Sequence, residues 1–261
     1  MPFTLAHPAA VLPLRRVRPM STVPLIIGAM TPDMPYYFPW RIAKHIPEAT
    51  HTFLGTFTLD LPMGLLLLTF LWLLRVPLAA PLGPGARAKC FAALERFGSR
   101  PRNWVLAPLS ILVGAWTHLA WDSFTHMDSW VVSRISALSA PVTFFSYTGP
   151  LCHVLQYASS VFGLVVLAIW FAWLPVPAQE PRDGERSPGG PLLLAVLCAA
   201  AVLAGGLEAF ERILRDNPAR YLIFYLLTTR TVAWFALLYT IAGIVIVRGR
   251  RRATGTSVTQ T

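Results

Sequence analysis

Five long apolar runs punctuate the chain, at approximately 59–78, 104–122, 154–175, 191–209 and 230–247. Each approaches the roughly 20 residues that a helix needs to cross a bilayer. The pattern predicts an all-α, polytopic helical membrane protein with about five transmembrane helices. Pro62 interrupts the first run near its start, a position that a membrane helix tolerates. Trp104, Trp121, Trp173 and Trp234 lie near the ends of runs, where interfacial aromatics collect. Residues 21–40 are a shorter stretch broken by Pro24, Pro32, Pro35 and Pro39, which reads as an N-terminal re-entrant or interfacial segment.

Between the runs, residues 79–103 are rich in Gly, Pro and basic side chains and read as a linker. Residues 176–190 are a polar, breaker-rich loop without metal-type spacing. The pattern divides the chain into a motif-bearing membrane domain (1–175), that loop (176–190), two C-terminal spans (191–247) and a basic, disordered tail (248–261). Five spans put the two linkers and the C-terminus on one face, and the N-terminal region with loops 122–153 and 210–229 on the other. Counting Arg75 with the first face, a small excess of Lys and Arg there predicts a cytoplasmic C-terminus, with Arg248-Gly249-Arg250-Arg251-Arg252 as a stop-transfer cluster.

Composition strengthens the membrane reading. Hydrophobic residues make up 55% of the 261 and charged residues 13%, about half the charge of a soluble domain. The formal net charge of +10 sits in short clusters between apolar runs, which suits anionic lipid head groups. No nucleic-acid motif accompanies it, so nucleic acid is not an expected partner, whereas membrane lipid is. Cys90, Cys152 and Cys198 share no CxxC spacing and read as neither a disulfide framework nor a thiolate metal site. The N-terminus does not read as a signal peptide, because Arg15, Arg16 and Arg18 follow its apolar segment.

The chemistry lies in scattered imidazoles and carboxylates. Within Thr117–His126, the residues His118, Asp122 and His126 recur every four positions at the end of a span. On a helix, His118 and Asp122 share one face and can grip one ion, and ionisable groups at membrane depth usually serve a function. A hydrogen-bonded helix-end pair is the bland alternative. Asp33 lies in Thr31-Pro32-Asp33-Met34-Pro35, and is either a ligand or a turn-former. His51 precedes the first span, and Asp60 lies inside it as a ligand or a helix N-terminal charge. With His7, these give six candidate metal ligands: His7, Asp33, His51, Asp60, His118 and Asp122. Asp122 and His126 are the candidate catalytic groups. The thiolate-free set predicts a divalent metal, zinc first, with manganese, iron or nickel as alternatives. The set exceeds one tetrahedral site, leaving room for a second ion or for partners that orient the ligands. His45 and His153 read as surface residues, and Gln156, Ser159 and Ser160 as inter-helix hydrogen-bonding groups. Glu208–Arg212 and Glu211–Arg215 have the spacing of helical ion pairs.

On these motifs the chain resembles a bacterial family of membrane proteins known as domain of unknown function 4184. The resemblance rests on the opening Met-Pro-Phe-Thr-Leu-Ala-His-Pro-Ala-Ala-Val-Leu-Pro-Leu, Gly28 to Pro35, His51 to Gly55 with Asp60-Leu61-Pro62, Thr117 to His126, and Leu155 to Ser160. It covers about residues 1–175. That family is similar in motif logic to membrane-bound metal-dependent hydrolases and, more distantly, to helical zinc phospholipase C and nuclease enzymes. The resemblance implies a bacterial cytoplasmic membrane and site positions at His7, Asp33, His51, His118 and Asp122.

The expected function is a membrane-embedded hydrolase in which metal-activated water attacks a phosphoester or ester of a lipid-like substrate. The alternatives are a non-enzymatic transporter or metal-handling protein using the same His/Asp cluster, and a structural subunit held together by these contacts. Against transport, the candidate groups sit toward one membrane face, whereas transporter sites often lie near the midplane. Oligomeric state leaves no mark on the sequence.

Overall fold

Among the described residues of a computed structural model of the chain, five helices are long and apolar enough to cross a membrane: Phe53–Leu73, Pro101–Asp122, Leu151–Trp173, Gly190–Arg215 and Ile223–Arg250. The structure describes residues 4–38, 46–144, 147–177, 190–216 and 220–257. His45, the core of the 176–190 loop and the last four tail residues lie outside the described residues. The protein is an all-α, polytopic integral membrane protein. Among the described residues, the one two-stranded element, unforeseen in the sequence, is a hairpin in the 122–153 loop. There β1 (Pro141–Phe144) pairs antiparallel with β2 (Tyr147–Pro150), Pro141 facing Pro150.

The first span starts earlier than its apolar run, because Thr52 accepts a hydrogen bond from Gly55 N at 2.9 Å and caps the helix. Its second turn, Thr56–Asp60, is a π-helical widening just ahead of Pro62. Proline has no N–H to offer the carbonyl four residues back, and its ring crowds that carbonyl, so the helix opens there. The fifth span also begins before its apolar run, which Arg230 delays in the sequence but the fold buries. Residues 79–103, read as a linker, are largely helical: Pro84–Gly98 forms a helix, with proline in the first turn, where its missing N–H costs nothing.

The chain divides into two units, one comprising Met1–Pro35, Trp40–Thr69 and Phe97–Leu174, the other Tyr36–Pro39, Phe70–Arg96 and Pro175–Thr261. In the first, the N-terminal region is a series of short helices. Thr22–Gly28 lies against the second span, where Leu25, Ala29, Ala107, Ile111 and Ala115 are buried. Small residues allow this approach. A Cβ on Gly28 would collide with the Ile111 carbonyl, and one on Gly114 with the Leu25 carbonyl.

In the second unit the fourth and fifth spans pack along each other. Arg230, buried within the fifth, donates through Nη2 to the carbonyls of Tyr36 and Phe38 at 2.7 and 2.9 Å. Glu208 meets it at 3.6 Å and accepts from Trp234 Nε1 at 2.9 Å. Trp234, read as interfacial from its place in the apolar run, thus sits well inside its span and serves this polar cluster. The Glu211–Arg215 pair forms at 2.6 Å.

Candidate metal centre

Four ligand atoms, one each from Asp33, His51, His118 and Asp122, lie within 4.8 Å of one another. Asp33 comes from the 3-10 turn Thr31–Tyr37, His51 from just after the short helix Ile46–Thr50, and His118 and Asp122 from the last turns of the second span. The π-helical turn of the first span packs against the second through Trp116 Nε1, which donates to Thr56 Oγ1 at 3.1 Å. Thr50 Oγ1 donates to the Pro32 carbonyl at 2.8 Å, holding the His51 turn against the Asp33 turn.

Both imidazoles are fixed in the same tautomer. His118 Nδ1 donates to the Ala29 carbonyl at 2.9 Å, and His51 Nδ1 to the Pro47 carbonyl at 2.7 Å. Each neutral ring then presents its Nε2 lone pair to the cluster, as in metal-binding histidines, which typically give their second N–H to a carbonyl or carboxylate. The carboxylates are split in a matching way. Asp33 Oδ2 accepts from Thr4 Oγ1 at 2.7 Å, and Asp122 Oδ1 from His7 Nε2 at 3.1 Å. The other oxygens, Asp33 Oδ1 and Asp122 Oδ2, point inward.

The inward atoms stand at 3.3 Å (His118 Nε2–Asp122 Oδ2), 3.4 Å (His51 Nε2–Asp33 Oδ1), 3.6 Å (His118 Nε2–Asp33 Oδ1) and 3.7 Å (His51 Nε2–Asp122 Oδ2). Charge-assisted N–H···O bonds close to about 2.7–2.9 Å, so these separations are long for ion pairs. Ligands about 2.0–2.1 Å from a tetrahedral ion stand about 3.3–3.4 Å from one another, close to the separations here. His118 Nε2, Asp33 Oδ1 and Asp122 Oδ2 are buried with no hydrogen-bond partner among the described residues. Such atoms are costly to bury unpaired, and a shared cation satisfies all of them at once. The donor set therefore fits a divalent metal.

His7 is buried against the His118 ring, centroids 3.8 Å apart. Burial and the neighbouring His118 push its pKa down to about 4, against the pull of Asp33 and Asp122. It is a neutral donor to Asp122, and it stands beside the four-atom group. Burial opposes ionisation of Asp33, but His118, His51 and His7 outweigh it and hold the carboxyl down at about 2. Burial also opposes charge on His51, yet the Asp33 carboxylate lifts its pKa above the ordinary value.

Asp60 is fully buried in the π-helical turn, outside the four-atom group, and neither of its oxygens has a hydrogen-bond partner among the described residues. His126 borders the cluster, with Nδ1 donating to the Asp122 carbonyl at 3.1 Å and lying 3.8 Å from Asp122 Oδ2. Its side chain is 34% exposed, and burial lowers its pKa despite Asp122. Ser159 accepts from Trp121 Nε1 at 3.2 Å, the inter-helix role expected of it, and His153 Nδ1 lies 3.4 Å from Tyr147 Oη. Thr4 escaped sequence reasoning, although its place three residues before His7 puts both within one helical turn.

No curated protein and no solved structure matches the chain. A family match runs over residues 1–247, past the motif-bearing region and through both C-terminal spans, and the chain belongs to the family described as Domain of unknown function (DUF4184).

Proposed function

We propose that the protein is a membrane-embedded, metal-dependent hydrolase acting on a phosphoester or ester of a lipid-like substrate. The observation that carries this reading is the inward set of two imidazole nitrogens and two carboxylate oxygens, one from each of four residues, at the end of a span. Asp33, His51, His118 and Asp122 would hold the ion, zinc by preference for this donor chemistry. When bound, the ion supplies Lewis acidity toward the substrate oxygen and makes water a nucleophile near neutral pH.

The remaining work falls to the chain itself. Thr4 and His7 orient the two carboxylates, and the Ala29 and Pro47 carbonyls orient the two imidazoles. His126, neutral at pH 7 with its proton on Nδ1, has Nε2 available as a base. It takes a proton from the attacking water and returns it to the leaving oxygen as the ester bond breaks, which conserves the proton over the cycle. Asp60, buried in the π-helical turn with neither oxygen hydrogen-bonded among the described residues, is a further carboxyl outside this ligand set. The likeness to bacterial membrane hydrolases and the basic cluster at 248–252 support a bacterial cytoplasmic membrane with the C-terminus inside.

The test is metal analysis of detergent-purified protein beside His118→Ala and Asp122→Asn, paired with hydrolysis of phospholipid and of a generic phosphodiester. Stoichiometric metal and hydrolysis, both lost in the variants, are the expected result. Metal binding with uptake into proteoliposomes but no hydrolysis would replace this reading with a carrier.

A further inference from the structure

An apolar groove of about 600 Å³ runs between the second and third spans, lined by Ala120, Trp121, Phe124 and Thr125 on one side and Ala158 and Phe162 on the other, among others. The volume falls within the range of ligand sites, about 300–1,000 Å³. We infer that this groove seats one acyl chain of a membrane phospholipid whose head-group ester lies at the His/Asp cluster; this inference rests on the hydrolase reading.

Helical geometry ties the two features together. Thr117, Ala120 and Trp121 form one stripe of the second span, with Phe124 just past its end, and His118 and Asp122 form the adjacent stripe. The stripes meet at Thr125. Its Oγ1 lies 3.4 Å from His126 Nδ1, which is itself 3.8 Å from Asp122 Oδ2. The groove thus ends at the part-exposed side chain that borders the buried cluster. Its walls are almost wholly apolar, with Leu155 and Phe162 exposed on the third span and Phe124 exposed just past the end of the second, where the surrounding medium is acyl chain. A phosphoester head group is polar and belongs with His126 and the cluster, so a phospholipid matches the site at both ends. Lipid tails are as apolar as the groove, so burial alone gives the groove no preference over bulk lipid. Retention must come from the head group, and occupancy of the groove is therefore coupled to the cluster.

The experiment uses the full, zinc-loaded chain in vesicles of phosphatidylethanolamine and phosphatidylglycerol, doped with phosphatidylglycerol bearing a diazirine at the end of one acyl chain. Photolabelling mapped by mass spectrometry is expected to enrich Phe124, Leu155 and Phe162 about fivefold or more over Leu66 and Val165, which are exposed on spans but do not line the groove. Ala158→Trp, which fills the groove, and Phe162→Ala, which removes a wall at an exposed position and leaves folding intact, should each abolish the enrichment with metal content unchanged. Chelation of the metal should abolish it as well. Uniform labelling, enrichment that survives chelation or both groove variants, or cross-links from these residues to a second copy of the chain would overturn the inference. Enrichment without any hydrolysis leaves the groove standing and removes the hydrolase reading. Hydrolysis of a short, water-soluble phosphodiester without enrichment removes the groove alone.

Discussion

His7 Nε2 donates to Asp122 Oδ1 at 3.1 Å across a separation of 115 residues, so the N-terminal turn holds a carboxylate at the end of the second span. This bond assigns one Asp122 oxygen to His7 and leaves the other for the cluster. His7→Ala should therefore weaken zinc binding by roughly 10–100-fold, the usual cost of removing a group that orients a ligand, while His118→Ala abolishes it. His7→Gln, which keeps a donor, should recover part of the loss. Competition titration against a zinc indicator measures all three, and an unchanged affinity in His7→Ala would show that Asp122 needs no such support.

Thr4 does the same for Asp33 through its 2.7 Å bond to Oδ2. Both residues are buried, so Thr4→Val, nearly isosteric, leaves a carboxylate oxygen without its donor. The cost expected is about 1–3 kcal/mol, seen as a lower unfolding temperature in detergent and a weaker zinc affinity. Thr4→Ser keeps the hydroxyl and should behave as wild type. A loss in Thr4→Ser with Thr4→Val unaffected would point to the threonine methyl and away from the hydrogen bond.

The five spans were legible because each is a run of apolar residues near bilayer length, a signal that survives without tertiary context. His118 and Asp122 were legible because a four-residue spacing on a helix is a statement about one face. Asp33 and His51 could be nominated as ligands, but their meeting with the second span depends on how Gly28 and Gly114 let the N-terminal helix settle, which no local pattern states. The same holds for the Thr4 and His7 hydrogen bonds, which are long-range. The π-helical turn was hidden because Pro62 reads as a proline near a helix start, and only the helix ahead of it shows the widening. Arg230 and Glu208 lie in different spans, so the spacing rule that found Glu211–Arg215 could not find their contact.

The approach of the N-terminal helix to the second span also governs the cluster, because Ala29, whose carbonyl fixes His118, follows Gly28 directly. Gly28→Ala forces a methyl group into the Ile111 carbonyl. The backbone must then shift, at a cost of the order of 1–3 kcal/mol for overpacking. Zinc affinity should fall although no ligand has changed. Gly206→Ala, where an added Cβ meets nothing within 4 Å, is the control and should leave both stability and affinity alone. If Gly28→Ala lowers the unfolding temperature but binds zinc normally, the Ala29 carbonyl does not depend on this packing.

Removing the ion should loosen the same region, because the inward atoms His118 Nε2, Asp33 Oδ1 and Asp122 Oδ2 have no partner among the described residues. A ligand that binds only the folded state stabilises it by about 2.7 kcal/mol at a hundredfold excess over its Kd. Chelated protein should therefore melt several degrees below zinc-loaded protein, and zinc should restore the difference. Amide exchange should rise most in Thr4–Val11 and around Asp33, since Thr4 and His7 hold carboxylates that the ion no longer draws inward. His118→Ala and Asp122→Asn should melt at one temperature with or without chelator. Identical melting of chelated and zinc-loaded wild type would mean that the cluster is held by its own hydrogen bonds, and that its unpaired atoms are not a cation site.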